Sequence, residues 1–164
     1  PLGAADLAVP PGVQASLTVR ILEYDRALRS WAGPGITVGL VGRSAGSVAE
    51  LREALSGRDA QGLAIRVVVH SFKDAEGLRA WMDSAGVRFL YVAADLTGEP
   101  ATVSAGAARR VPTLVATRAQ FERGASLGLV VREGKPHILV NLTAAKAAGM
   151  DLDPKLLQLA EVVR

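Results

Sequence analysis

Short apolar runs alternate with helical patterns through the first two thirds of the chain. Four of these runs are apolar on both faces, as buried strands are, and they lie at residues 36–41, 63–70, 87–92 and 112–117. The helical patterns between them lie at residues 44–55, 75–84 and 101–109. Strands of a parallel sheet have this continuous apolar character because helices cover both faces. The alternation predicts a three-layer α/β fold with a mainly parallel sheet.

The last third of the chain has a different pattern. Two apolar stretches, 127–132 and 137–140, flank Glu133-Gly134-Lys135-Pro136, which predicts an antiparallel β-hairpin. Asn141 is placed to cap a short helix, and Asp153-Pro154 has the residue types that begin a final helix. With this C-terminal hairpin, the sheet is expected to have five or six strands.

The start of the chain contains a tail and then a long amphipathic pattern. Residues 1–11 are small, polar and proline-terminated, and we expect a flexible tail or a cloning remnant. From Gly12 the apolar residues recur at steps of four, three, four and three, which predicts one helix of about five turns. The stripe consists of Leu17, Ile21, Tyr24, Leu28 and Trp31. The length suits one domain, and we assign it to residues 12–164.

Composition excludes several kinds of site. The chain has no cysteine, so thiol catalysis, cysteine-based zinc sites and disulfides are excluded. The two histidines, His70 and His137, are far apart and have no carboxylate at ligand spacing, so no metal is expected. The sequence contains neither a G-x-G-x-x-G nor a phosphate-binding loop motif, so no cofactor is expected.

Charge and hydropathy narrow the choice of partners. Lys and Arg total 19 and Asp and Glu total 16, which gives a net charge of +3. The arginines are scattered, with only Arg109 and Arg110 adjacent, so no nucleic-acid track is expected and this pair is placed in solvent at a helix end. No apolar run approaches the roughly 18 residues of a membrane span, so we expect no direct membrane insertion. No signal-peptide pattern stands at the start, which leaves the compartment open.

One short string resembles a catalytic motif. Gly42-Arg43-Ser44-Ala45-Gly46 matches G-x-S-x-G between a strand and a helix, and Asp95 and His137 follow in the chain order of an α/β-hydrolase triad. Only one helix and one strand precede Ser44, however, so the strands that build an oxyanion hole are missing. A glycine-permitted turn in which Ser44 or Ser47 caps the next helix explains the string better. We therefore assign no catalytic residue.

The same turn also suits a ligand site. Free N–H groups at a helix N-terminus attract anions, and ligands of open α/β sheets lie beyond the carboxyl ends of the strands. The ligand-binding candidates at this edge are Arg43, Ser44, Ser47, Asp95, Thr97, Thr117 and Arg118. Ordinary helix capping and solvated loops are the competing interpretation.

Both ends of the chain carry a more specific pattern. The C-terminal part combines a glycine-led hairpin between Gly124 and Gly134, Asn141-Leu142-Thr143-Ala144-Ala145 at a helix start, a turn at Gly149 and a Leu156-Leu157-x-Leu159-Ala160 segment. The N-terminal part runs from Val13 to Arg26. Together they resemble the YfiR family over residues 12–163, and in the middle of the chain the agreement is in the strand–helix rhythm.

The resemblance implies a non-enzymatic periplasmic regulator. The best-known member holds a membrane-bound diguanylate cyclase inactive by contacting its periplasmic sensor domain, and it dimerises. A membrane signalling protein, a diguanylate cyclase or a sensor kinase, is thus the expected partner, and a homodimer is expected. The lack of cysteine and the Tyr24-Asp25-Arg26 segment mark a divergent member.

Two functions therefore stay open. In the first, the protein regulates a membrane protein through a partner surface that includes the stripe of the first helix, Leu17, Ile21, Tyr24, Leu28 and Trp31. In the second, it is a small-ligand-binding periplasmic sensor that uses the carboxyl edge of the sheet near Arg43 and Asp95. The competing interpretation of the stripe is that all of it is core.

Overall fold

One mixed sheet of eight strands organises the protein, whose computed structural model describes residues 8–164. The strands are β1 Ile36–Gly42, β2 Asp59–Ala60, β3 Leu63–Ser71, β4 Phe89–Val92, β5 Thr113–Val115, β6 Leu127–Arg132, β7 Lys135–Asn141 and β8 Ala160–Val163. Their order across the sheet is β2-β3-β1-β4-β5-β6-β7-β8. Residues 1–7 of the predicted tail lie outside the described residues. Val9 is buried and Pro11 begins the first helix.

Helices join the strands and cover both faces of the sheet. They are α1 Pro11–Glu23, α2 Leu28–Ala32, α3 Ala49–Leu55, α4 Ala75–Ala85, α5 Ala101–Ala108, α6 Arg118–Glu122, α7 Leu142–Ala147 and α8 Pro154–Leu159. Short 3-10 turns at Ala45–Val48 and Ala94–Leu96 follow β1 and β4. Asn141 and Asp153 each accept a backbone N–H at the start of a helix, as predicted, and Asp74 does the same for α4.

The apolar residues form two clusters, one on each face of the sheet. Alternation along β1 divides its side chains between them, since Val38 and Leu40 belong to the first cluster and Val41 to the second. The first cluster includes side chains from α1, α2, α3 and α8, and the second includes side chains from α4, α5 and α6. The strands are apolar on both faces because helices cover both faces of the sheet. The predicted fold class is confirmed.

The sheet has more strands than the five or six expected. The strands β3, β1, β4, β5 and β6 run parallel, β7 forms the predicted antiparallel hairpin with β6, and β8 runs parallel to β7. The short β2 pairs antiparallel with β3. The final helix ends at Leu159, and Ala160–Val163 form β8 where the sequence pattern predicted helix. The β-branched Val162 and Val163 favour a strand, and β7 offers them a free edge.

The first predicted helix is two helices. The structure ends α1 at Glu23 and starts α2 at Leu28, because Asp25 turns inward between them and is fully buried. Its Oδ1 accepts the N–H groups of Ala27 and Asp151, each at 2.9 Å. Its Oδ2 accepts the indole Nε1–H of Trp31 at 2.7 Å. A periodicity analysis cannot detect this break, since the apolar residues on both sides keep helical spacing.

Replacing Asp25 tests how much of the fold depends on this carboxylate. Asp25→Ala leaves two backbone N–H groups and one indole N–H without an acceptor in a buried place. We expect the free energy of unfolding to fall by about 3 kcal/mol, because each unsatisfied buried group costs about 1–3 kcal/mol. Denaturant titration measures it, with Asp59→Ala, at an exposed aspartate, as the control. A loss no larger than that of Asp59→Ala would contradict the assignment.

Candidate functional site

The strand order has a switch point at the carboxyl edge of the sheet, and we call the region beyond the ends of β1, β4 and β5 the crevice. The chain passes from β1 to β3 on one side and then crosses back to β4 on the other side of β1. The segments after β1 and β4 therefore diverge, and ligands of open α/β sheets bind at such switch points. Arg43 follows β1, Asp95 and Thr97 follow β4, and Thr117 follows β5. The fold thus gathers the polar residues that follow these strands at one edge.

Arg43 and Asp95 meet in this crevice, as predicted. The backbone N–H of Arg43 donates to Asp95 Oδ1 at 3.1 Å, and Arg43 Nη2 lies 3.1 Å from Glu99 Oε2. The guanidinium lies 6.0 Å from the centre of the Phe72 ring. Carboxylates of the protein thus already occupy these donors of Arg43. An anion entering the crevice has to compete with Glu99 for the guanidinium.

The two serines after β1 do not cap α3, contrary to the prediction. The 3-10 turn Ala45–Val48 precedes the helix, and the Ser47 hydroxyl donates back to the carbonyl oxygen of Ser44 at 2.7 Å. Ser44 makes no side-chain capping bond, and its backbone is extended. A Cβ on Gly42 would collide with Ser47 Oγ. This tight turn accounts for Gly42 without a catalytic role.

Gln120 joins the neighbouring strand ends and was missed by the sequence analysis. It is fully buried, and its Oε1 accepts the backbone N–H groups of Ala116 and Thr117 at 3.1 and 3.0 Å. Its Nε2 donates to the carbonyl oxygen of Ala93 at 2.9 Å. The Thr117-x-x-Gln120 spacing of a capping box was the signal that could have revealed it. Thr117 in turn places its Oγ1 3.4 Å from that of Thr97.

Arg118 is drawn away from the crevice. Its Nη2 lies 2.9 Å from Glu161 Oε2 on β8, and Arg132 Nη2 lies 2.6 Å from the same oxygen. The hydrogen bond from Arg118, with help from the charge of Arg132, lowers the pKa of Glu161. Of the seven ligand candidates, the structure therefore joins Arg43 with Asp95 and Thr97 with Thr117, while Arg118 belongs to a separate ionic cluster.

The apolar stripe of the first two helices is divided by burial. Ile21 and Leu28 have no exposed surface, so they belong to the core in this structure. Leu17, Tyr24 and Trp31 are half-buried and pack against that core. Val13, one turn before Leu17, is 37% exposed. The apolar surface available on α1 is therefore centred on Val13 and Leu17.

The histidines do not form a metal site in the part of the chain that the structure describes. No group of three potential ligands is found among residues 8–164. His70 stacks on Trp81 with ring centres 4.9 Å apart, and burial lowers its pKa despite the opposing charge of Asp74. His137 lies on β7 opposite Val130. Within the same described residues, no helix is long and apolar enough to cross a membrane.

Removing the amide of Gln120 should loosen the connection between the ends of β4 and β5 and lower the stability of the fold. Gln120→Leu leaves Ala93 O and the N–H groups of Ala116 and Thr117 unpaired. We expect the free energy of unfolding to fall by about 2–3 kcal/mol. Chemical denaturation checks it, and Gln158→Leu, at an exposed glutamine of α8, is the matched control. Equal stability of the two variants would show that Gln120 does not hold the strand ends together.

Comparison with known families adds to this geometry. The family model described as YfiR/HmsC-like matches residues 12–161. The chain belongs to the YfiR/HmsC-like family. The resemblance noted in the sequence is thereby confirmed. Proteins of the YfiR/HmsC-like family are periplasmic regulators and are not known enzymes. No curated protein matches the chain.

Solved structures share the fold at low sequence identity. The L-Trp complex of the ABC domain from Streptococcus pneumonia has a TM-score of 0.65 at 15% identity, over 91% of this chain and 60% of that one. A conserved domain protein from Vibrio cholerae has a TM-score of 0.68 at 17% identity, over 97% of this chain and 61% of that one. The third structure is ligand-free, open CD0873, a substrate binding protein with adhesive properties from Clostridium difficile. Its TM-score is 0.56 at 18% identity, over 84% of this chain and 57% of that one. The chain of the YfiR/HmsC-like protein thus spans about six tenths of these structures, which support its α/β fold.

Proposed function

We propose that this protein is a non-enzymatic periplasmic regulator that binds and controls a membrane signalling protein, a diguanylate cyclase or a sensor kinase, through the partner's periplasmic domain. The observation that carries the proposal is the match to the YfiR/HmsC-like family over residues 12–161. The contacts of the G-x-S-x-G turn agree with it, because Gly42 and Ser47 serve the packing of the turn. The domain of residues 12–164 acts as one unit in this proposal.

The partner surface in this proposal lies on α1. Val13 and Leu17 are four residues apart and therefore lie on the same side of the helix. Val13 is one of the exposed large apolar side chains of the described chain. Tyr24 and Trp31 extend the half-buried surface beyond the end of α1, whereas Ile21 and Leu28 support it from beneath. The exposed Val13 beside the partly buried Leu17 gives α1 a continuous apolar surface, and contiguous apolar surface is typical of an interaction site.

Complementation in the source bacterium tests the proposal. Deleting the gene should raise the cellular concentration of cyclic di-GMP, and expressing the wild-type chain should return that concentration to its normal level. The double variant Val13→Asp, Leu17→Asp should fail to restore it at unchanged periplasmic abundance, because a charge opposes burial of this surface against a partner. The control is Leu159→Asp, which removes an apolar side chain that is 62% exposed and lies outside the proposed partner surface. This control variant should restore regulation fully.

Two further results decide how this experiment is interpreted. If the double variant is unstable, Val13→Asp alone keeps the test valid, since Val13 is more exposed than Leu17. Unchanged cyclic di-GMP in the deletion strain would contradict control of a diguanylate cyclase. Unchanged activity of the sensor kinases as well, measured by phosphorylation of their response regulators, would contradict the regulator function altogether.

A homodimer belongs to the same proposal. A specific dimer buries at least about 1,200 Å² in total. Sedimentation velocity of the purified chain should then give twice the monomer mass of 17.1 kDa. A single monomeric species across this concentration range would remove the dimer from the proposal and leave the partner contact standing.

The second candidate function is a small-ligand-binding sensor at the carboxyl edge. The crevice beside Arg43 and Asp95, with Thr97, Thr117 and Ser44 near it, supports this alternative. The L-Trp complex and the substrate binding protein among the structural neighbours are consistent with it. In the complementation assay, Asp95→Ala separates the two functions. A regulator keeps its control in this variant, whereas a sensor loses its response.

A further inference from the structure

A cleft of about 310 Å³ lies at the amino edge of the sheet, opposite the crevice described above. The ends of α4 and α5 and the segments that lead into β4 and β5 form it, and Trp31 of α2 closes one side. Its volume falls within the range of about 300–1,000 Å³ that small-molecule sites have. It shares no residue with the ligand candidates of the carboxyl edge, and of the proposed partner surface it contains only Trp31.

Three arginines and one carboxylate line this cleft. Arg109 and Asp83 form a bidentate pair, with Nε to Oδ1 at 2.8 Å and Nη2 to Oδ2 at 2.9 Å, so they neutralise each other. Arg109 and Arg110 lie at the end of α5, where Arg110 is exposed and Arg109 is engaged by Asp83. Arg88 and Arg110 have no carboxylate within 4.0 Å among residues 8–164. The cleft thus carries a surplus of two positive charges.

The backbone at Arg110 gives a second, independent observation. The helices α4 and α5 both end in a Schellman motif. In α4 the Val87 N–H donates to Met82 O, and in α5 the Val111 N–H donates to Gly106 O, both at 3.0 Å. The left-handed position of this turn is Gly86 in α4, with φ of 66°. In α5 it is Arg110, with φ of 54°. Glycine is favoured here because a Cβ makes the left-handed conformation strained, and strained residues cluster at ligand sites.

The remaining wall of the cleft is apolar and rigid. Trp31 is held by its hydrogen bond to Asp25 and by stacking on Phe89, with ring centres 6.5 Å apart. Pro112 and Met82 are buried neighbours on the same lining. A fixed aromatic ring beside two guanidinium groups fits a molecule with one anionic and one apolar part.

We propose that this cleft binds a small organic anion that carries a carboxylate or a phosphate. Arg88 and Arg110 pair with its charge, and its apolar part lies against Trp31. Arg109 is held in place by Asp83 and forms part of the wall. Of the proposed partner surface the site includes only Trp31, and the partner contact is tested at Val13 and Leu17, so either proposal can fail without the other.

Titration with defined probes tests the site. Phenyl phosphate and benzoate are added to the full chain carrying Trp81→Phe, so that Trp31 is the remaining tryptophan reporter. We expect a saturable change in Trp31 fluorescence, one-to-one binding by calorimetry, and weaker binding at higher salt. The tighter of the two probes identifies the anionic group. Benzyl alcohol, the neutral probe, should not bind. No saturable binding of either anion at millimolar concentration would overturn the proposal, and so would equal binding of benzyl alcohol.

Variants separate a binding role from a structural one. Arg110→Gly should lower the affinity at least tenfold while the melting temperature stays constant or rises, because glycine suits the left-handed position better. Arg88→Gln should also lower the affinity. Glu133→Gly is the control for relief of a left-handed residue, since Glu133 has φ of 52° away from the cleft, and Arg66→Gln is the control for loss of an exposed arginine. Neither control should change binding. Full affinity in both Arg110→Gly and Arg88→Gln would show that these residues only stabilise the ends of the helices.

Discussion

The carboxylate of Asp25 is the contact on which the rest of the structure depends. It accepts hydrogen bonds from the turn between α1 and α2, from Trp31 and from the backbone of Asp151. Backbone bonds between Arg26 and Asp151 and between Asp153 and Tyr24 reinforce the same joint. A buried carboxylate is tolerated because these N–H donors satisfy it. The joint holds the two N-terminal helices over one face of the sheet and fixes the indole that stacks on Phe89.

The two edges of the sheet differ in how their charges are used. At the carboxyl edge, Glu99 pairs with the guanidinium of Arg43, and Glu161 pairs with both Arg118 and Arg132. At the amino edge, one ion pair is complete and two guanidinium groups are left over in residues 8–164. A parallel sheet with helices on both faces keeps its two edges independent, because the apolar core lies between them. The apolar core therefore separates the surplus of positive charge at the amino edge from the ion pairs at the carboxyl edge.

The sequence predicted the elements whose signal is local. Buried strands, the hairpin around Gly134 and the caps at Asn141 and Asp153 all depend on neighbouring residues, and the structure contains each of them. The break at Asp25 and the strand β8 were not predicted, because both form through contacts with distant segments. Their partners, Asp151 and β7, cannot be identified from periodicity.

The candidate site shows the same division. The order of apolar runs was enough to place Arg43 and Asp95 at one edge, since parallel strands end together. The diversion of Arg118 to Glu161 needed the position of β8, and the burial of Gln120 needed the packing of α6 against the sheet. Side-chain pairing across the sheet was therefore beyond a sequence analysis, and so was the cleft, whose residues come from five separate segments.

The joint at Asp25 also determines when the chain can fold. The hydrogen bond between Asp25 and Asp151 spans 126 residues, and the last strand pairs only when residues 160–163 are present. Long-range contacts of this kind are formed late, because closing a long loop costs entropy before any contact compensates for it. A nascent chain that ends before Asp151 lacks the hydrogen bonds that join the first two helices to the C-terminal segment. The contacts that hold α1 and α2 in place are therefore complete only once residues 151–163 have been synthesised.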